Sequence, residues 1–174
     1  MPGGQERALR RRINSVQSTK QITRAMELIA ATRVVKAMTR ANAARPYSTK
    51  MTGVIEDLAA GGVGIDDPLL RSSETVSSIG FVVITSDRGL AGAYNSSVIR
   101  AAEKEIMAAQ TEGKEYKLVL VGKKAADYFR FRNYQIEASF SGMTDTPSYE
   151  DARVVATTVR DLFVSEAVDQ VILA

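Results

Sequence analysis

The residues best placed to do chemistry sit in one turn, Ser86-Asp87-Arg88-Gly89-Leu90-Ala91-Gly92-Ala93-Tyr94-Asn95. The turn follows an apolar run, and Gly89 and Gly92 would let a phosphate approach the backbone and the start of a following helix. That place, outside the carboxyl end of a parallel strand, is where ligands bind in open α/β sheets. The fingerprint G-x-G-x-x-G is absent, however, and only G-x-x-G is present. The next apolar run ends Val121-Gly122-Lys123, without the acidic residue that would hold a ribose. The competing reading is structural: the glycines permit a tight turn, and Asp87 and Arg88 form a structural or interface pair, with Asn95 closing the motif.

Other chemical motifs are weaker. Gly122-Lys123-Lys124 echoes the end of a Walker A loop, but the upstream glycine position is Lys117 and the Ser/Thr position is Lys124. Asp66, Asp67, Glu150 and Asp151 form two acidic pairs that metal binding would use, yet adjacent acids in loops and at helix starts ordinarily cap or solvate. The chain has no histidine and no cysteine, which removes the commonest general base, the commonest metal ligand and every disulfide. No cofactor and no catalytic residue is expected.

The elements that would carry this turn are legible in the spacing. Ile79 to Thr85 is a continuous β-branched run, as in a strand buried on both faces. Tyr94 to Thr111 reads as an amphipathic helix, Tyr116 to Val121 as a strand and Lys123 to Arg132 as a short helix. Tyr134 to Phe140 reads as an alternating strand, Ser148 to Ser165 as a helix with Asp151 in its first turn, and Gln170 to Leu173 as a further strand. This alternation predicts a parallel sheet. The last strand runs to Ala174, which leads us to expect a continuation of the fold. No stretch approaches the 18 or so apolar residues of a membrane span, and the polar N-terminus lacks the apolar core of a signal peptide.

The first fifty residues differ in character. They hold 11 Lys and Arg (Arg7, Arg10, Arg11, Arg12, Lys20, Arg24, Arg33, Lys36, Arg40, Arg45, Lys50) against Glu6 and Glu27, so 11 − 2 = +9. The chain is +3 in all, which leaves 3 − 9 = −6 for residues 51–174. Good helix formers dominate from about Gln5 to about Ala60. Pro2, Gly3 and Gly4 read as a flexible lead-in, and Pro46 as a bend or a new start. Leu9, Ile13 and Val16 open a seam of alternating 4 and 3 spacing. It passes through polar Lys20, Thr23 and Glu27 and resumes at Ala30, Val34, Ala37, Ala41 and Ala44. A second stripe, Ile22, Met26 and Ile29, fills the gap. A cationic helix of this length needs a partner, and an acidic one suits its charge. Nucleic acid is a poor fit: the cations are spread around the helix, and no aromatic residue precedes Tyr47 to stack a base. The predicted fold class is therefore α/β. A long N-terminal coiled-coil helix (1–60) and a linker (61–78) precede a Rossmann-like parallel β-sheet domain flanked by helices (79–174).

Three segments together resemble a known family. Ile13-Asn14-Ser15-Val16-Gln17-Ser18-Thr19-Lys20-Gln21-Ile22-Thr23-Arg24-Ala25-Met26-Glu27-Leu28-Ile29-Ala30 is similar to the N-terminal signature of gamma subunits of bacterial F-type ATP synthases. Arg45-Pro46-Tyr47 and the turn 86–95 are similar too, in the same order and spacing. Two departures stand out: Ala91 replaces a cysteine common in the family, and nothing here corresponds to the family's long C-terminal helix. The resemblance implies a non-catalytic central-stalk rotor that couples proton flow through the c-ring to ATP synthesis. It implies the alpha and beta subunits, the epsilon subunit and the c-ring as partners, and a peripheral place on the cytoplasmic side of a bacterial membrane without direct insertion. It places Met26 against a beta subunit, and makes Arg7, Arg10, Arg11, Arg12, Lys20 and Arg24 candidates for contact with acidic beta segments. It puts Arg33, Lys36, Arg40 and the sheet domain in the foot. The alternative is a nucleotide-binding Rossmann-like domain with a basic helical interaction arm.

Overall fold

The computed structural model describes residues 2–60, 67–71 and 73–174. The chain divides into two compact units, Met1–Gly64 and Ile65–Ala174. Much of the segment 61–78, Asp66 included, lies outside the described residues.

Among its described residues the first unit contains a single helix, α1, spanning Pro2–Ala60, 59 residues. At 1.5 Å per residue it is about 90 Å long. Two expectations are corrected here. Pro2 to Gly4 are helical rather than a lead-in, consistent with the tolerance of proline at the first helical position, where its missing N–H has no partner to lose. Pro46 lies inside the helix and does not end it. A proline interrupts one backbone hydrogen bond and crowds the preceding turn, at about 3 kcal/mol. The helix-forming turns on both sides, Ala41 to Ala44 and Met51 to Leu58, carry it across.

The second unit is built on a four-stranded parallel sheet of order β3-β2-β1-β4. Its strands are β1 (Ser78–Ile84), β2 (Glu115–Val121), β3 (Ala138–Phe140) and β4 (Gln170–Leu173), joined by α2 (Tyr94–Thr111), α3 (Lys123–Phe131) and α4 (Tyr149–Val164). In the register, Phe81 lies beside Leu118 and Val83 beside Leu120. These four residues join Ile99, Ile106 and Phe129 in one buried core with α2 and α3. Alternation along the strand turns Val82 to the opposite face, where it lines a groove of roughly 620 Å³ with Val121, Val155, Val159 and Leu173 beneath α4. The β1 run is therefore buried on both faces at Phe81 to Val83, but Ile84 is exposed.

The third strand is shorter than the alternation suggested. Only Ala138–Phe140 pair, and Tyr134 and Ile136 instead pack against the core from a loop. The cause is visible at Tyr134. Its ring stands edge-on to Phe129 at 5.1 Å, and its hydroxyl donates to Glu103 at 3.0 Å. Asn133, at φ 58°, turns the chain just before it. These contacts hold the segment off the line of the sheet.

Helix α4 starts with a capping box: the Ser148 hydroxyl accepts from the Asp151 N–H, and the Asp151 carboxylate accepts from the Ser148 N–H. At its other end the Arg71 guanidinium donates to the carbonyls of Phe163 (2.7 Å) and Val168 (2.8 Å) and lies 4.4 Å from the centre of the Phe163 ring. The approach to β1 is fixed by Asp169, whose carboxylate accepts from the Ser77 N–H and hydroxyl and the Ser78 N–H.

Candidate functional site

Two sets of residues carry the functional reading, one on each unit. On α1, every described side chain from Gln5 to Leu58 other than the half-buried Gly53 is exposed. The seam residues Leu9, Ile13, Val16 and Val34 are each more than half exposed, and Met26 is 49 % exposed. Ala30, Ala37, Ala41 and Ala44 are exposed as well, as are all of Arg7, Arg10, Arg11, Arg12, Lys20 and Arg24. Among the cations of this arm, Arg10 pairs with Glu6 at 2.9 Å and Arg24 with Glu27 at 3.4 Å. Such exposed pairs add little stability.

The helix geometry separates the two apolar stripes. Ile22, Met26 and Ile29 each precede a seam position (Thr23, Glu27, Ala30) by one residue. One residue is a rotation of about 100°. A neighbour lying along the seam would therefore leave Met26 facing a different neighbour. The two stripes thus lie on different faces of α1, with small residues where the seam resumes.

On the second unit, Asp87 organises the turn after β1. Its N–H donates to the Thr144 hydroxyl at 2.8 Å. Its Oδ2 accepts from that hydroxyl (2.6 Å), from the Thr144 N–H (3.1 Å) and from the Gly142 N–H (3.0 Å). Its Oδ1 accepts from the Lys123 N–H at 3.0 Å. Partial burial raises the carboxyl pKa, and these donors outweigh that effect, holding it down at about 2 against an ordinary 3.8. Arg88 pairs with Asp145 at 3.0 Å. The Asn95 Oδ1 accepts from the Ser86 N–H at 2.9 Å, and its Nδ2 donates to the Ser86 hydroxyl at 2.8 Å. The sheet-end turn is thus tied to the start of α3 and to the loop after β3.

This arrangement bears on phosphate chemistry. The N–H groups at the start of a helix are where an anion would sit. At α3 the first of them, on Lys123, is already given to the Asp87 carboxylate. The glycines divide in role. Gly92 takes φ 57°, whereas Gly89 has no positive φ, and the other left-handed residue of the turn is Leu90 at φ 64°. Of the acids considered for metal binding, the described three, Asp67, Glu150 and Asp151, are caps and surface pairs. Asp67 accepts from the Leu69 N–H, Glu150 pairs with Arg153, and Asp151 closes the α4 box.

Two residues of this network, Thr85 and Thr144, were not singled out from the sequence, and a third, Gly122, was read there only in an echo of a Walker A loop. Thr85 is buried, and its hydroxyl accepts from the Ala125 N–H at 2.9 Å, serving the start of α3 from the end of β1. Gly122, at φ 96°, passes so close that an added Cβ would lie 2.0 Å from the Thr85 carbonyl oxygen. Thr144 is 57 positions from Asp87. Only Gly122 carried a visible signal, a glycine between a strand and a helix.

Comparison with known proteins agrees with this architecture. A family model described as ATP synthase matches residues 5–174. The ATP synthase gamma chain of Frankia casuarinae is 48% identical over 93% of this chain and 54% of its own length. That of Mycolicibacterium vanbaalenii is 44% identical over 94% of this chain and 53% of its own length. The chain thus spans about half the length of these curated relatives. Among solved structures, a chain from the central stalk/c-ring structure of the Tetrahymena thermophila mitochondrial ATP synthase shares the fold. Its TM-score is 0.68 at 24% identity, over 87% of this chain and 63% of that one. Among the described residues no helix is long and apolar enough to cross a membrane. With a long exposed helix, a parallel sheet and a family model that runs from residue 5 to residue 174, the chain belongs to the ATP synthase family, and its curated relatives are gamma chains.

Proposed function

We propose that this chain is the non-catalytic rotor subunit of the central stalk of an F-type ATP synthase, coupling proton flow through the c-ring to ATP synthesis at the beta subunits by rotation. The observation that carries the reading is α1: a 59-residue helix with its cations and both apolar stripes exposed. In the proposed setting, the Leu9–Ile13–Val16 and Ala30–Val34–Ala37–Ala41–Ala44 seam packs on a second shaft helix. Met26, about 100° away, faces a beta subunit. The alpha and beta subunits form the surrounding collar, and Arg7, Arg10, Arg11, Arg12, Lys20 and Arg24 meet its acidic segments.

The mechanism needs no bond made or broken on this chain. A shaft that contacts three catalytic subunits differently stabilises a different conformation in each, and it can shift an equilibrium only by the difference of its interaction energies with the two states. Turning the shaft exchanges those contacts. The second unit, with its turn fastened by Asp87, Arg88 and Asn95, acts as the rigid foot toward the epsilon subunit and the c-ring. The complex is peripheral on the cytoplasmic side of a bacterial membrane.

A photo-crosslinker placed at residue 26 tests the reading. In the assembled complex it should label a beta subunit, and labelling should vanish when the crosslinker is moved to residue 30 on the seam. Labelling of nothing but a second copy of this chain would overturn it.

A further inference from the structure

The covalent path from α1 into the sheet domain runs through Asp67–Arg71, the first described stretch after the helix. This entry holds a short 3-10 turn, Pro68–Leu70, in which no residue is buried. Packing alone therefore holds it weakly. Two clasps fasten the chain between this turn and β1, and both close on the stretch that joins α4 to β4. The first is Arg71, whose Nη2 donates to the carbonyls of Phe163 at 2.7 Å and Val168 at 2.8 Å. The second is Asp169, whose carboxylate accepts from the Ser73 hydroxyl at 3.3 Å, the Ser77 N–H at 2.8 Å and the Ser78 N–H at 3.0 Å.

The chemistry of the first clasp suits a mechanical task. Its only acidic neighbour among the described residues, Glu166, stands 3.9 Å away and is 75 % exposed, so the ion pair contributes little. The guanidinium is used for its donors and for its flat face, which lies 4.4 Å from the centre of the Phe163 ring. Its side chain is only 23 % exposed, so water competes little for these charge-assisted bonds. Phe163 lies in the last turn of α4, where a cation also suits the helix dipole. Force that arrives along the chain from α1 meets Arg71 before it meets β1, which begins at Ser78.

We propose that Arg71 is a positioning residue for rotation: it passes force between the entry segment and the α4–β4 stretch, and so spares the start of β1 from being peeled out of the sheet. This rests on the central-stalk reading above. The test uses the assembled synthase, immobilised by its collar, with a bead on the sheet domain. The width of the bead's angular fluctuation at each pause under limiting ATP reports the stiffness between shaft and sheet domain. Arg71→Met should widen that fluctuation, with ATP hydrolysis retained. The control is Arg132→Met, which removes a pair with Glu103 on the α2 and α3 side of the sheet and should leave the width unchanged. Thermal unfolding of each variant is measured alongside. Normal rotation with wild-type width in Arg71→Met would overturn the clasp and leave the stalk reading intact. Equal widening in the two variants at equal loss of melting temperature would make Arg71 a stabilising residue only, which also overturns the proposal. If Arg71→Met fails to fold, Arg71→Lys decides in its place: it keeps the charge but loses the flat face and paired donors, so a widened fluctuation supports the clasp and a wild-type width overturns it. A wild-type bead that never turns during hydrolysis would overturn the stalk reading and the clasp's role with it.

Discussion

Asp87 and Thr144 hold each other reciprocally: the Asp87 N–H donates to the Thr144 hydroxyl at 2.8 Å, and that hydroxyl donates to Asp87 Oδ2 at 2.6 Å. The pair joins the turn after β1 to the loop after β3, two segments with β2 between them in the sheet. It makes the end of the sheet one rigid surface.

Removing the carboxylate should loosen that surface. Asp87→Ala leaves the N–H groups of Lys123, Gly142 and Thr144 without their acceptor. Hydrogen bonds to a charged group contribute about 1.5–3 kcal/mol, so a loss of about 2 kcal/mol is expected in chemical denaturation. Asp87→Asn keeps the shape and should cost less. Equal stability of Asp87→Ala and wild type would contradict the assignment.

Acid should act through the same group. The folded pKa of Asp87 is held down at about 2, below its ordinary 3.8. That of Asp169 is also about 2, held by the Ser77 hydroxyl and N–H and by the Ser78 N–H. A depressed folded pKa means that the unfolded chain binds the proton first. The stabilisation is therefore complete above about pH 4 and is lost as pH falls toward 2. A melting series should show this fall, shallower in Asp87→Asn.

Gly122→Ala should be the most damaging small substitution in the sheet domain. Its Cβ would lie 2.0 Å from a backbone oxygen at a φ of 96°. Strain and displacement together should cost about 3 kcal/mol or more. Gly89→Ala, where an added Cβ meets nothing within 4 Å, serves as the control and should be close to neutral.

The contrast between these glycines shows what was legible in the sequence. Helix α2 and strand β4 have the bounds that the spacing predicts, Tyr94–Thr111 and Gln170–Leu173, because Ile99, Ala102, Ile106 and Ala109 recur at helical intervals and Gln170 to Leu173 is a short apolar run. The long helix was legible in its run of good helix formers, a local property too. Strand β3 was overextended because alternation from Tyr134 to Phe140 cannot reveal that Glu103, some thirty residues earlier, draws Tyr134 aside. The partner of Asp87 was hidden likewise: Thr144 belongs to another loop, and only the folded sheet brings the two together. Pro46 was read as a bend or a new start, and the new start fails because local propensity was weighed without the long helical stretches on either side.

Met26→Lys tests the arm. A lysine at this exposed position would form ion pairs with acidic neighbours that rotation must break, each contributing up to about 1 kcal/mol. Reconstituted vesicles should pump fewer protons per ATP hydrolysed, with hydrolysis itself retained. An unchanged ratio would remove Met26 from the moving interface.

The most direct measurement follows a bead attached to the sheet domain of this chain, in the synthase assembled with it, while ATP is hydrolysed by the immobilised complex. The account predicts that the bead turns continuously in one direction, and that rotation stops when ATP is exhausted. A bead that stays fixed while hydrolysis proceeds would show that this chain is not the rotor.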